Sequence, residues 1–393
     1  MIYLHIPFCE SFCTYCGFFS VCVPPALPVP EPVEGVEGFD AFADAVIAEI
    51  AARRDEIAAT SAVNTLYIGG GTPSVLPLEV LSRIVTAIDW SPEGAEGEFT
   101  IEVNPEDIVE KGEEYVKGLM SLGVNRFSMG VQSFDDGILR WMNRRHDSAR
   151  AIEAFRILRQ CGAGNISLDL IFGLSQLDDS TWADTIDKTL ALGPEHISAY
   201  QLSVEEDSAL ERMIQRGKYV EASDEQCRRQ YDLLCEKFGA AGYRHYEISN
   251  FALPGREAIH NSAYWKRVPY VGLGPGAHSL SATSVRSWNA QEIPRRLRDG
   301  RLATYSREEE ILTPEDIRIE RIMLPLRTDI GMPEEELRSL AGDEPVDRLL
   351  SENALVRFSR PLRSLSPSKG TNRYIRIPES RFFVSDEIIR ELI

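Results

Sequence analysis

Three cysteines in one short loop, Cys9-x3-Cys13-x2-Cys16, are the residues of this chain best suited to chemistry. Thiolates are soft ligands that favour zinc or iron–sulfur clusters over hard cations. Structural zinc sites usually take four protein ligands from two separated cysteine pairs, and no second pair follows here. Three thiolates on a cubane leave one iron open to an outside ligand, and cysteine ligation of such clusters is established chemistry. His5 would be the fourth ligand if the metal were zinc. Side chains alternate along a strand, so His5 shares a face with Tyr3, and both are expected to line the pocket instead. Cys22 is the fourth cysteine of this crowded N-terminal stretch, while Cys161, Cys227 and Cys235 are scattered and fit small core residues.

The loop must be held by the elements around it. Short apolar stretches predict strands at Ile2–Ile6, Thr65–Ile68, Phe99–Val103, Arg126–Gly130, Ser167–Phe172 and Ile197–Leu202. Helical periodicity lies between them, at Phe39–Ile57, Leu78–Ile88, Ala149–Gln160 and Trp182–Leu192. About six repeats of strand then helix imply parallel strands with right-handed crossovers. The result is a barrel, a partial barrel or a doubly wound sheet. Five prolines between Cys22 and Gly38 predict an irregular loop, either a cover for the cysteine site or a surface insertion. From about Ala290 the pattern changes. Helices are expected at Pro314–Leu324, Pro333–Leu340 and Val346–Glu352, then strands at Arg373–Ile377 and Arg381–Val384. These suggest a first domain over 1–289 and a small winged-helix-like module over 290–393, with a docking or lid role.

Composition narrows the function classes. The chain has 393 residues and a net charge of −19. The part from Ala290 onward holds 18 basic and 20 acidic residues, so nearly all the excess lies before it. Nucleic-acid binding depends on basic groups that release counterions from phosphate, so no nucleic-acid partner is expected. No apolar run reaches the roughly 18–20 residues of a membrane span. The first residues, Met1 to Pro7, lack the basic and apolar regions of a signal peptide. A cytoplasmic protein that is not integral to a membrane is the expectation, and disulfides are not expected there.

The segment Cys9-Glu10-Ser11-Phe12-Cys13-Thr14-Tyr15-Cys16, with aromatic Tyr15 before the last cysteine, resembles the signature of the radical S-adenosylmethionine (SAM) superfamily. Tyr3-Leu4-His5-Ile6-Pro7-Phe8 resembles its oxygen-independent coproporphyrinogen III oxidase-like branch. The resemblance implies an α/β fold, a partial TIM-like (β/α)6 barrel with a small C-terminal winged-helix-like domain. It implies a 4Fe-4S cluster on Cys9, Cys13 and Cys16 whose open iron chelates SAM. It places Gly70, Gly71 and Thr72 of Gly69-Gly70-Gly71-Thr72-Pro73 at the SAM amino group and Glu102 on the ribose hydroxyls. Gln132, Arg144 and Asp169 also match SAM-contacting positions, and Tyr3 and Tyr15 are counted with the cofactor pocket.

Two features divide that branch. The oxidases resemble Cys-x3-Cys-x2-Cys-x-Cys, but Phe18 stands at the fourth position here. They also carry an N-terminal extension, for which a start two residues before Tyr3 leaves no room. In contrast, His260-Asn261-Ser262-Ala263-Tyr264-Trp265 resembles the motif of HemW-type heme chaperones, which lack the oxidase activity. Imidazole is a good axial ligand for heme iron, and Tyr and Trp offer apolar faces with polar tips. His260, Tyr264 and Trp265 are therefore the candidate heme residues, with His278 of Gly272–Ser279 as a secondary one. The expectation is a chaperone that binds heme and delivers it to an acceptor hemoprotein, a respiratory one among the candidates. The alternatives are a coproporphyrinogen III oxidase or a radical SAM enzyme that modifies heme.

Overall fold

The computed structural model describes residues 1–23, 38–91, 97–293, 305–359 and 373–393. The proline-rich stretch lies outside the described residues. Six strands stand side by side in chain order: β1 Ile2–Ile6, β2 Thr65–Gly70, β3 Glu98–Val103, β4 Arg126–Gln132, β5 Ile166–Phe172 and β6 His196–Gln201. All neighbouring pairs are parallel. Beyond β6 the sheet continues through two antiparallel strands, β7 Arg244–Glu247 and β8 Asn250–Ala252, with β8 next to β6. At the other edge β9 Val271–Leu273 pairs in parallel with β1. This is a partial barrel: nine strands in one sheet, with β9 and β7 at its two edges.

Alternation along the strands sorts the side chains. One face carries Leu4 and Ile6, Leu66 and Ile68, Phe99 and Ile101, Phe127 and Met129, Leu168 and Leu170, all buried in the apolar core. The opposite face carries Tyr3 and His5, Thr65 and Tyr67, Glu98, Thr100 and Glu102, Arg126 and Ser128, Ser167 and Asp169, His196 and Ser198. The barrel is therefore apolar outside, where helices cover it, and polar within.

The covering helices begin where the sequence provides caps. Asn104, Asp147, Asp178 and Ser223 each accept a backbone N–H in the first turn of Pro105–Ser121, Ser148–Gln160, Asp179–Leu192 and Asp224–Ala240. The helix expected over 39–57 breaks at Arg53 into Phe39–Ala52 and Arg54–Ala59. Buried Arg53 leaves helical geometry and donates to Glu49, to the Gly272 carbonyl and to the Ser279 hydroxyl.

After β9, three antiparallel strands (His278–Leu280, Val285–Asn289 and Arg307–Ile311) form a small sheet. The boundary expected at 290 thus falls inside that sheet. Helices Pro314–Leu326, Glu334–Ala341 and Asp343–Ser351 follow, with a three-stranded ribbon of Met332–Pro333, Val356–Ser359 and central Arg373–Arg376. The strand expected at Arg381–Val384 is instead part of a 3-10 helix over Glu379–Val384. A strand would point consecutive side chains to opposite faces. The tighter helix lets both Phe382 and Phe383 reach the barrel, on His245 and Tyr231.

Phe99 is fully buried, with its ring against Trp90 at 5.4 Å. Phe99→Ala should destabilise the chain by about 3–5 kcal/mol, read as a lowered denaturant midpoint. Exposed Val220→Ala should leave the midpoint nearly unchanged.

Candidate functional site

The cysteine loop leaves β1 at the C-terminal end of the strands and is tied at several points. Phe8–Cys9 pairs with Val21–Cys22, so the loop closes on itself. The Thr14 hydroxyl donates to the Trp141 carbonyl at 2.7 Å, and Asn143 donates to the Phe12 carbonyl at 2.7 Å. Arg145 pairs with Glu10 at 2.5 Å and with Asp107 at 2.6 Å. Cys9, Cys13 and Cys16 are free, and Cys22 is exposed with its thiol on the Glu10 carbonyl. Burial pushes the Cys16 thiol up to about 11, and the neighbouring Cys13 and Cys9 add to the rise. Arg144 offsets this: its Nη1 donates to Cys13 Sγ at 3.3 Å and its Nη2 to the Gly130 carbonyl at 2.6 Å. The guanidinium lowers Cys9 and Cys16 against this rise, but burial is the larger effect and both thiols remain raised.

Among the described residues, no group of three or more His, Cys, Asp or Glu is placed to hold a metal ion. Three thiolates around a cubane each meet a different iron and need not converge on one point. The donor set fits a cluster: three free thiols on one tied loop, backed by one cation. Such a cluster, when bound, would supply electrons for reductive cleavage of a sulfonium.

The Gly69-Gly70-Gly71 run ends β2 against three functional side chains. A Cβ at Gly69 would meet Glu102 Oε1 at 2.8 Å, at Gly70 the His5 ring at 2.6 Å, and at Gly71 the Phe8 carbonyl at 2.7 Å and Cys9 Sγ at 3.0 Å. Gly70 also has φ of +114°, so glycine is required on two counts. Thr72 Oγ1 lies 3.4 Å from Cys9 Sγ. Glu102 accepts from the Tyr67 hydroxyl at 2.8 Å and from Gly70 N–H at 3.1 Å. Burial pushes its carboxyl up to about 7, and Asp169 adds to the rise. Asp169 accepts from Ser128 and Ser167. Gln132 sits in the left-handed region at an irregularity of β4, beside Gly130 and Arg144. His5 Nε2 donates to the Phe19 carbonyl, so its Nδ1 accepts from the Tyr3 hydroxyl at 3.1 Å. Burial lowers its pKa, and the ring acts as a neutral spacer behind the glycines. Tyr15 is hydrogen-bonded to Cys13, and burial raises its pKa. Twelve expected site residues thus gather at one end of the barrel.

His260, Tyr264 and Trp265 do not join them. They lie on helix Ile259–Trp265 at the opposite, N-terminal end of the strands. Glu98, the first residue of β3, accepts from the N–H groups of Ile259 and His260, both at 2.9 Å. His260 is fully buried. Its Nδ1 is 2.8 Å from Thr65 Oγ1, and its Nε2 is 3.0 Å from the Tyr264 hydroxyl. Desolvation lowers its pKa to about 3, so the ring is neutral and both nitrogens are engaged. Tyr264 packs on Tyr270 at 4.8 Å. Trp265 and Ser262 face away from the lumen, toward the C-terminal helices. His278 is exposed and stacks on Trp288. The Gly272–Ser279 segment serves the other end: a Cβ at Gly274 would meet the His5 carbonyl at 2.6 Å.

Two residues that the sequence reading passed over connect these ends. Tyr67 holds Glu102 through its hydroxyl and lays its ring 5.1 Å from that of His260. Glu98 caps the motif helix. Tyr67 shares the inward face with Thr65, and Glu98 shares it with Glu102, a residue already chosen. The period of two was the available signal.

A partial parallel barrel with three cysteines on the loop after its first strand is the architecture of radical SAM proteins, and residues 3–189 match the Radical SAM superfamily. The backbone is similar to coproporphyrinogen III oxidase (HemN) from Escherichia coli, with a TM-score of 0.75 at 20% identity over 100% of this chain and 89% of that one. The heme chaperone HemW of Bacillus subtilis is 34% identical over 367 residues, 91% of this chain and 92% of its own. That of Synechocystis is 35% identical over 284 residues, 70% of this chain and 65% of its own. This chain belongs to the HemW family. Membership in the radical SAM superfamily implies a 4Fe-4S cluster and SAM.

Replacing Cys9, Cys13 or Cys16 by Ala should abolish the cluster after anaerobic reconstitution, whereas Cys22→Ala should keep it, by iron content and visible absorbance. If Glu102 accepts the SAM ribose hydroxyls, as the family resemblance implies, removing it would leave them without a buried acceptor, at about 1–3 kcal/mol. Equilibrium binding to Glu102→Ala should show SAM affinity reduced about tenfold or more.

Proposed function

We propose that this protein is a cytoplasmic heme chaperone. It binds heme and passes it to an acceptor hemoprotein, a respiratory one among the candidates, and it carries a 4Fe-4S cluster with exchangeable SAM. The observation that carries the reading is the His260–Trp265 segment. It forms a helix fixed by Glu98 and Thr65, and it turns Trp265 outward beside the C-terminal module. The relatives from Bacillus subtilis and Synechocystis are named heme chaperones, which supports it. Among the described residues no helix is long and apolar enough to cross a membrane.

A second observation separates this reading from an oxidase. Phe18, where the oxidases carry a fourth cysteine, is 71% exposed and offers no thiol. Gly70, Gly71, Glu102, Arg144 and Asp169 nevertheless gather at the cysteine end of the barrel, which supports a retained SAM site. The proposal is that cluster and SAM serve heme handling rather than decarboxylation. His260 could ligate iron only after giving up its bond with Tyr264 or with Thr65.

The test is an anaerobic heme titration of reconstituted protein beside an assay for coproporphyrinogen III turnover. Heme uptake with a Soret shift and no protoporphyrinogen product is expected. Turnover without heme uptake would establish the oxidase instead, and an altered tetrapyrrole would establish a heme-modifying enzyme. His260→Ala should weaken heme uptake while leaving cluster iron unchanged, because the two sites share no residues.

A further inference from the structure

The cleft between the motif helix and the C-terminal module has the chemistry of a carboxylate-bearing, flat apolar ligand. It measures about 300 Å³ and lies on the far side of the helix from His260. Trp265, Leu324, Ile330 and Met332 supply apolar lining. The charged lining consists of Lys266, Arg267 and Arg321 against Glu320 and Glu336. That is an excess of one positive charge in a chain whose net charge is −19.

Arg267 is the telling residue. It ends the motif helix in the left-handed region, with φ of +55°, which a non-glycine residue adopts at a cost. Its Nε donates to Glu320 at 2.6 Å and its Nη1 to the Ser284 hydroxyl at 3.2 Å. Its Nη2 is buried and has no partner among the described residues. Glu320 cannot serve Arg267 alone, because it also holds Arg286. Leaving a charged donor buried and unpaired is expensive, so the site lacks an acceptor. Lys266, the residue before it, is exposed at the rim, and its side chain makes no hydrogen bond or ion pair among the described residues.

We propose that this cleft holds the propionate edge of heme, with one carboxylate on Arg267 Nη2 and Lys266 and the macrocycle edge against Trp265. The proposal rests on the chaperone reading and adds to it the place and the chemistry of the contact. Guanidinium and carboxylate form paired, charge-assisted hydrogen bonds, and an indole face suits the edge of an aromatic macrocycle. The cleft is too small to enclose a tetrapyrrole, so most of the heme would stay exposed and transferable. In this arrangement His260 is a positioning residue that fixes the helix on Thr65, and Trp265, Lys266 and Arg267 touch the ligand.

The experiment titrates full-length, cluster-loaded protein with heme and with heme dimethyl ester, whose propionates are uncharged. Wild type should prefer heme about tenfold or more. Arg267→Gln should erase most of that preference, and Lys266→Gln should reduce it. Trp265→Leu should weaken both ligands alike. His260→Ala should weaken both while keeping the preference. Cluster iron and far-UV circular dichroism report folding, and the ester comparison on wild type needs no variant. Equal affinity of wild type for heme and its ester would overturn the proposal, as would a preference unchanged in Arg267→Gln, and the chaperone reading would stand. Absence of heme uptake by wild type would remove that reading and this site with it.

Discussion

The arrangement depends on a polar barrel interior. Strands β1 to β6 turn their apolar side chains outward to the helices, so the lumen must satisfy hydroxyls, carboxyls, imidazoles and a guanidinium among themselves. Arg126 shows the tension. It is buried at the centre, its Nε has no partner, and its one side-chain hydrogen bond is a long contact to Thr100 at 3.5 Å. The carboxylates Glu98 and Asp169 stabilise its charge from a distance. Buried polar networks are costly unless complete. They also fix side-chain positions more narrowly than apolar packing does, and a radical SAM site needs that.

That constraint joins the two ends of the molecule. Glu102 at the cofactor end takes a bond from Tyr67, and the Tyr67 ring lies against His260 at the motif end. Any ligand that draws on Glu102 competes with Tyr67 for its oxygens. The five residue steps from Thr65 to Gly70 span roughly 17 Å, so the motif helix stands well away from the cysteine loop. Heme held on the outer face of that helix would stand apart from the cluster, with the helix and the lumen between them.

Much of this was legible in the sequence. The strands announced themselves through apolar residues at every second position, and the cysteine, glycine-run and Glu102 positions could be placed because each falls at a strand end. What the sequence hid was longitudinal. His260-Asn261-Ser262-Ala263-Tyr264-Trp265 carries no mark of which end of the barrel it meets, and the answer lies in Glu98 and Thr65, distant in the chain. The spacing of His260 and Tyr264 against that of Ser262 and Trp265 does imply two helix faces, one inward and one outward. Strand β9 was invisible because three residues of Val271–Leu273 give no period. Phe382 and Phe383 looked like a strand until the barrel surface offered both of them a partner.

The clasp that closes the cysteine loop has a consequence for assembly. Val21 N–H donates to the Pro7 carbonyl at 2.6 Å and Val23 N–H to the Cys9 carbonyl at 2.8 Å, so backbone bonds join the loop's two ends. The stretch that holds the three cysteines is thereby closed into a shorter loop, and closing a shorter loop costs less entropy. Three ligands on a segment clasped at its base therefore need less ordering to meet a cluster than three on an open segment would, which is the reverse of a small zinc domain, where the ion itself must order the chain.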